Sequence, residues 1–122
     1  NKTYKTWILI SDNTAAEIRG KILTRPVDKV AVKGKAKAIL IHEVLALGEN
    51  ETPKLRKIID LTMLGFDHYL AMRFQQAMDC YTQILGLNKE DHLASYYIDR
   101  CKGFLFFPPP SDWDGTYISH SK

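Results

Sequence analysis

The chain has 122 residues, of which 45% are hydrophobic and 25% are charged, and its formal net charge is +3. This composition is typical of a soluble globular chain and excludes a disordered or fibrous protein. No apolar stretch reaches the roughly 18 residues that a membrane-spanning helix needs, so we expect no membrane contact. Two cysteines are too few for a disulfide framework, which favours a reducing, cytoplasmic setting. The first residue is Asn1, and we expect the chain to be part of a longer protein.

Charge is unevenly distributed along the sequence. Residues 1–50 contain nine Lys and Arg against five Asp and Glu, whereas residues 51–122 contain eight against nine. Hydrophobic alternation stops near residue 47, and residues typical of turns and helix starts follow. The sequence therefore predicts one unit over residues 1–47, a linker over 48–53, a helical unit over 54–107 and a tail over 108–122.

The first unit begins with a strand and a short helix. The β-branched, aromatic and apolar residues of Thr6–Ile10 predict a buried strand. Ser11 or Asp12 can cap a short helix over Thr14–Ile18, and Gly20 is placed to end it. We therefore expect a strand followed directly by a helix.

Two extended stretches follow, over Ile22–Val32 and Ala38–Leu47, with residues 33–37 between them. Their spacing predicts an antiparallel hairpin. Pro26 cannot donate a hydrogen bond to a central ladder, so we expect an edge position or a bulge near it.

The hairpin tip is strongly basic. Four lysines lie within nine residues, at Lys29, Lys33, Lys35 and Lys37, and Gly34 allows a tight turn beside Lys33. Such a cluster makes a positive field suited to phosphate oxygens, but it is equally typical of a solvated tip that protects a sheet edge. No Gly-rich loop leads into a Gly-Lys-Ser or Gly-Lys-Thr sequence, which excludes a Walker loop. The tip lacks interleaved aromatic residues, so we expect no nucleic-acid partner.

The second unit has helical spacing throughout. Thr52 and Pro53 predict the start of a first helix, Arg73 lies near the start of a second, and a third begins near Lys89 and stops before Pro108. Small and aromatic residues recur at helical steps in a pattern that resembles the tetratricopeptide repeat: Leu64, Gly65, Tyr69, Phe74, Ala77, Tyr81, Leu85, Asn88, Ala94 and Tyr97. About one and a half repeats fit, which favours a surface that stacks on a partner. The alternative is a plain helical hairpin with an aromatic core.

The tail contains three prolines followed by Trp113, which we expect to dock onto the helices. Asp112 and Asp114 are interpreted as solvated turn residues. The four histidines, His42, His68, His92 and His120, show no metal-ligand spacing, and we expect no structural metal.

The stretches Asn1–Tyr4, Trp7–Ser11, Leu23–Lys35 and Ile39–Val44 resemble the C-terminal end of a class III adenylate/guanylate cyclase catalytic domain. The tail over Phe106–Gly115 resembles the end of cyclase chains in which a helical-repeat segment follows the catalytic domain. This resemblance implies an α+β fold, in which a partial ferredoxin-like α/β segment of strand, helix and β-hairpin precedes a small tetratricopeptide-like three-helix unit. It also implies that Lys33 contacts the nucleotide triphosphate and that Gly34 supports this loop.

The resemblance further implies that the parent chain converts ATP, with GTP as the less favoured alternative, to the 3′,5′-cyclic nucleotide and pyrophosphate, and that it works as a homodimer. The residues that select the base would lie upstream, so the choice between ATP and GTP stays open. The catalytic residues and the ligands of Mg or Mn would lie upstream, so we expect the isolated chain to be inactive, and Asp12 and Asp28 do not replace them. The helical unit would adjust the dimer or bind a protein regulator. A rival interpretation is a non-catalytic protein-interaction module built on the helical unit.

Overall fold

The computed structural model describes residues 8–32 and 38–119. The chain divides into two compact units, which we call the sheet unit, residues 1–51 with 116–122, and the helical unit, Thr52–Gly115. Strands and helices are both present in separate blocks, so the predicted α+β class is confirmed. The tail contributes to both units, because the division falls between Gly115 and Thr116.

In its described residues, the sheet unit contains four strands in the order β1-β3-β2-β4. The pairs β1–β3 and β3–β2 are antiparallel, whereas β2–β4 is parallel. A short helix, α1, follows β1, and a single 3-10 turn, Gly48–Asn50, follows β3. The bounds are β1 Leu9–Ser11, α1 Asp12–Glu17, β2 Ile22–Val32, β3 Ile39–Leu47 and β4 Tyr117–Ser119.

Ser11 ends β1 and caps α1. The backbone N–H of Thr14 donates to Ser11 Oγ at 3.2 Å, which satisfies one of the free donors at the helix start. The helix ends at Glu17, and Gly20 follows with a φ of 89°. The predicted strand over Thr6–Ile10 extends into residues outside the described part of the chain.

The hairpin of β2 and β3 is irregular. Its register shifts between Leu23 and Thr24 and again between Pro26 and Asp28, and the second shift confirms the bulge predicted from proline. Each residue of β3 keeps part of its surface exposed, although most of them are apolar. One strand of the sheet unit therefore presents apolar surface that this chain does not fully bury.

The helical unit consists of α2 Pro53–Leu70, α3 Phe74–Leu87 and α4 His92–Phe106. Thr52 caps α2 by accepting the Leu55 N–H at 3.0 Å. Asp91 caps α4 by accepting the Ala94 N–H at 2.9 Å. In both caps a side-chain oxygen accepts a hydrogen bond from a first-turn N–H group that has no acceptor within the helix.

Aromatic rings fill the core of the helical unit. Tyr69, Tyr81 and Tyr97 are almost completely buried, and the rings of Tyr81 and Tyr97 stack with centroids 4.9 Å apart. Gly65 lets α2 and α3 approach, since a Cβ there would lie 3.1 Å from both Cys80 Cβ and Tyr81 Cε2. Small residues at the contact and large rings beside it thus hold this unit together.

Candidate functional site

The predicted triphosphate contact, Lys33, and its supporting Gly34 lie outside the described residues, as do Lys35 and Lys37. The structure describes the strands on either side of them. β2 ends at Val32, the residue before Lys33, and β3 begins at Ile39. The described residues that flank the candidate site therefore lie where β2 ends and β3 begins.

β4 pairs with β2 close to this end. Val30, Ala31 and Val32 are the register partners of Tyr117, Ile118 and Ser119. Val30 thus has a strand on both sides, because its partner on β3 is Ile39, whereas Ala31 and Val32 are paired with β4. Pairing with β4 therefore holds β2 as far as Val32.

Asp28 and Lys29 lie on β2, four to five residues before Lys33. The side chain of Asp28 is completely buried, and Asp28 Oδ1 accepts the backbone N–H of Lys29 at 2.9 Å. Asp28 lies beside the bulge, where the register shifts. A buried carboxylate that accepts a backbone N–H stabilises local backbone geometry, and we assign Asp28 this structural role.

A buried ion pair crosses the hairpin between Arg25 and Glu43. The two residues are direct register partners, and Arg25 Nε lies 2.9 Å from Glu43 Oε1. Their side chains are 5% and 12% exposed. This pair could not be predicted from the sequence, because spacing alone does not give the register that the bulges impose.

His42 and Asp12 link the sheet to α1. His42 Nε2 lies 2.8 Å from Asp12 Oδ1, and Asp12 is the first residue of α1. His42 Nδ1 is buried without a hydrogen-bond partner among the described residues. His42 neighbours Glu43 on β3, so its ring and the Glu43 carboxylate project to opposite faces of the sheet.

These polar groups do not assemble into a metal centre. Within residues 8–32 and 38–119, no three side chains of His, Cys, Asp or Glu are close enough together to hold a metal ion. Asp12, Asp28 and Glu43 each have the contact described above instead. The described part of the sheet unit therefore brings no three possible cation ligands together.

Arg100 is a partly buried charged residue of the helical unit. Its guanidinium donates to Tyr69 Oη at 3.0 Å and to Tyr96 Oη, and its Cζ lies 4.5 Å from the centre of the Tyr96 ring. Cation–π contact and hydrogen bonds to tyrosine hydroxyls both stabilise a partly buried guanidinium. Arg100 thus cross-links α2 and α4.

Both cysteines are buried and free, as expected from their number. Burial raises the pKa of Cys101 to about 12, although the Arg100 charge partly opposes this shift. Burial, and then the Asp79 charge, raise the pKa of Cys80. Both thiols therefore stay protonated at neutral pH, which makes them poor nucleophiles.

The end of α4 carries an exposed apolar patch of consecutive side chains. Leu105 is 48% exposed, Phe106 80% and Phe107 82%. Large exposed apolar patches are typical of interaction sites. Among the described residues, no helix has the length and apolar character required to cross a membrane.

The chain is similar to an adenylate cyclase. It is 32% identical, over 105 residues, to the protein named "Adenylate cyclase, terminal-differentiation specific" from Dictyostelium discoideum. The match covers 82% of this chain and 5% of that relative, so the chain spans only a small part of its length. No family model and no solved structure matches the chain.

Proposed function

We propose that this chain is the C-terminal part of a class III nucleotide cyclase that acts in intracellular signalling in the cytoplasm. The parent protein would convert ATP to 3′,5′-cyclic AMP and pyrophosphate. The observation that carries the proposal is the similarity to an adenylate cyclase over 82% of the chain, a length greater than either unit alone. The α+β arrangement of a sheet unit and a separate helical unit is compatible with it.

In this proposal Lys33 binds the triphosphate of ATP. An ammonium group is attracted to phosphate oxygens whichever base the nucleotide carries, and Gly34 beside it lets the backbone turn. Losing a hydrogen bond to a charged group costs about 1.5–3 kcal/mol, which is about ten- to a hundredfold in affinity or rate. The paired end of β2 supports the proposal, because a restrained strand directs the next residue more precisely than a free edge would.

The cation of the parent cyclase, Mg or Mn, would be held by residues outside this chain. The described residues do not fit such a site, since no three ligating side chains of 8–32 and 38–119 come together. We therefore assign no step of the reaction to a metal held here. One lysine without the catalytic residues cannot run phosphoryl chemistry, so the isolated chain is expected to be inactive.

The proposal includes a homodimer. Each residue of β3 keeps part of its surface exposed, although Ile39, Ile41, Val44 and Leu45 are apolar. A sheet with this much accessible apolar surface is more stable when another layer of secondary structure packs against it and buries that surface. We propose that the second copy, together with the rest of the catalytic domain, covers it.

A second candidate function is a non-catalytic interaction module. The exposed Phe106 and Phe107 favour it, because exposed aromatic patches are typical of protein-binding surfaces. The three-helix unit would then present a tetratricopeptide-like surface to a protein partner, and the sheet unit would be a catalytic domain that has lost activity.

Cyclic AMP formation by the full-length protein distinguishes these two functions. The protein is incubated with ATP and Mn²⁺, beside variants carrying Lys33→Ala or Lys37→Ala. We expect Lys33→Ala to lower activity about ten- to a hundredfold and Lys37→Ala to change it little. Equal losses of activity in the two variants would indicate that the lysines of the hairpin tip attract phosphate without a specific role for Lys33. A folded, dimeric protein without activity would favour the interaction module.

A further inference from the structure

One side of α2 is exposed from the start of the helix to its end. Positions that alternate in steps of four and three residues lie on the same side of a helix. On this side of α2, which we call the open face, the exposed positions are Pro53, Lys57, Asp60, Leu64 and Asp67, with Ala71 directly after the helix. α3 approaches α2 at Gly65, which lies on another side of the helix.

Apolar side chains lie at the middle of the open face and beside it. Leu64 is 50% exposed, and its neighbour Met63 is 51% exposed. α2 is the first helix of the helical unit, and a strand and a 3-10 turn precede it in the chain. Stacked helical units bury such a face against a neighbouring helix. The open face is therefore suited to receive another helix.

The charges of the open face are separated by sign along the helix. Lys57 lies near its start and Asp67 near its end, and both are exposed. Asp60 has a counter-charge on its own helix, because Arg56 Nη1 lies 3.6 Å from Asp60 Oδ1. Lys57 and Asp67 form no ion pair within the part of the chain that the structure describes. These two charges are therefore available to another molecule.

This distribution of charge is complementary to itself when the helix is reversed. In a parallel pair of α2 helices in register, Lys57 would face Lys57 and Asp67 would face Asp67, which is repulsive. In an antiparallel pair about a two-fold axis, Lys57 of each copy can face Asp67 of the other, because such an interface repeats every contact. Position 60 then faces position 64, and the two Leu64 residues lie about 6 Å apart along the helix axis.

We infer that the open face of α2 docks on the same face of a second copy of this chain, in antiparallel orientation. Two ion pairs between Lys57 and Asp67 flank an apolar centre formed by Leu64 and Met63 of both copies. This surface lies within the helical unit and is separate from β3, so the inference does not depend on the proposed function. Each copy contributes a single helix, and we therefore expect association at micromolar to millimolar concentrations.

Sedimentation equilibrium of the chain over a series of concentrations tests this contact by charge reversal. Lys57→Glu and Asp67→Lys each place like charges opposite each other at both ion pairs. We expect each change to raise the dissociation constant of the dimer about tenfold or more. Leu64→Gln should raise it as well, because it removes apolar surface from the centre. The double variant, Lys57→Glu with Asp67→Lys, should recover the affinity of the unaltered chain, since both pairs form again with their signs exchanged.

Lys102→Glu on α4 and Asp79→Lys on α3 are the matched controls. Both residues are exposed and lie outside α2, so these variants carry the same changes in net charge away from the open face. We expect both to dimerise like the unaltered chain. Circular dichroism of every variant checks that its helices remain folded.

A mixture of Lys57→Glu and Asp67→Lys chains is the most specific test. The first chain has an acidic residue at positions 57 and 67, and the second has a basic residue at both, so both ion pairs of a mixed dimer are attractive. We expect the mixture to dimerise although each variant alone does so poorly. An unaltered chain that stays monomeric at every concentration would overturn the inference. Dimerisation of the two α2 variants as tight as that of the controls would also overturn it and would place the contact elsewhere, as a dimer through β3 requires.

Discussion

Breaking the ion pair between Arg25 and Glu43 should destabilise the sheet unit strongly. The pair is short, 2.9 Å, and its side chains are 5% and 12% exposed. Removing one partner of a buried pair costs about 3–5 kcal/mol, because the other charge stays out of water without its counter-charge. Replacing both partners by apolar residues of similar volume is often close to neutral. We therefore expect Arg25→Met and Glu43→Leu to be far more destabilising singly than together.

Arg56 and Asp60 provide a matched control for this cycle. They are also an Arg–carboxylate pair, but they lie on the surface of α2, with 3.6 Å between Nη1 and Oδ1 and side chains 43% and 62% exposed. An exposed helical pair at this spacing contributes about 0.3–0.5 kcal/mol. The coupling energy of the buried pair should exceed that of the exposed pair several times.

Native-state amide exchange of the β2–β3 ladder measures the free energy of opening of the sheet unit separately from that of the helical unit. A loss of about 3–5 kcal/mol accelerates exchange by about two to three and a half orders of magnitude. Single variants that each lower the free energy of unfolding by less than about 1 kcal/mol, or equal coupling energies for the two pairs, would refute this prediction.

Three further outcomes follow from the helical unit. Gly103→Ala should raise the free energy of unfolding by up to about 1 kcal/mol, because alanine favours a helix and no atom obstructs its Cβ. Gly65→Ala should lower it by about 1 kcal/mol in the same urea titration, since the new Cβ is 3.1 Å from Cys80 Cβ and crowding outweighs propensity. The pKa of Cys101 is raised to about 12 from an ordinary 9.0, so between these pH values the unfolded chain loses a proton that the folded chain keeps. Stability should therefore fall as pH rises from 9 towards 12, and Cys101→Ala should remove that part of the dependence; a pH-independent stability difference between the two chains would contradict this assignment.

The local elements of the fold could be predicted from the sequence. The hairpin, the caps at Ser11 and Thr52 and the docking of Trp113 follow from residue type and spacing over a few neighbouring positions. The bulge near Pro26 follows from the missing N–H of proline. In each case the physical cause lies in the same short stretch as its effect.

Features that depend on distant parts of the chain could not be predicted in this way. β4 contains only three residues, and its partner strand β2 lies far from it in the sequence. The Arg25–Glu43 pair depends on the exact register, which each bulge shifts by one residue. The resemblance to nucleotide cyclases predicts Lys33 and Gly34 as the candidate site, but the residues that neighbour such a loop in space are set by tertiary structure.

The position of the helical unit between β3 and β4 in the chain has a consequence for the order of folding. β2 and β3 are close in sequence and can pair early, whereas β4 must find β2 across the whole of Thr52–Gly115. Closing so long a flexible loop is entropically costly, and a folded helical unit shortens the flexible part to a few residues. During synthesis, β4 also leaves the ribosome after the helical unit. The sheet should therefore be completed only after the helices have folded. Pairing of β4 with β2 is then expected to be a late step in the folding of this chain.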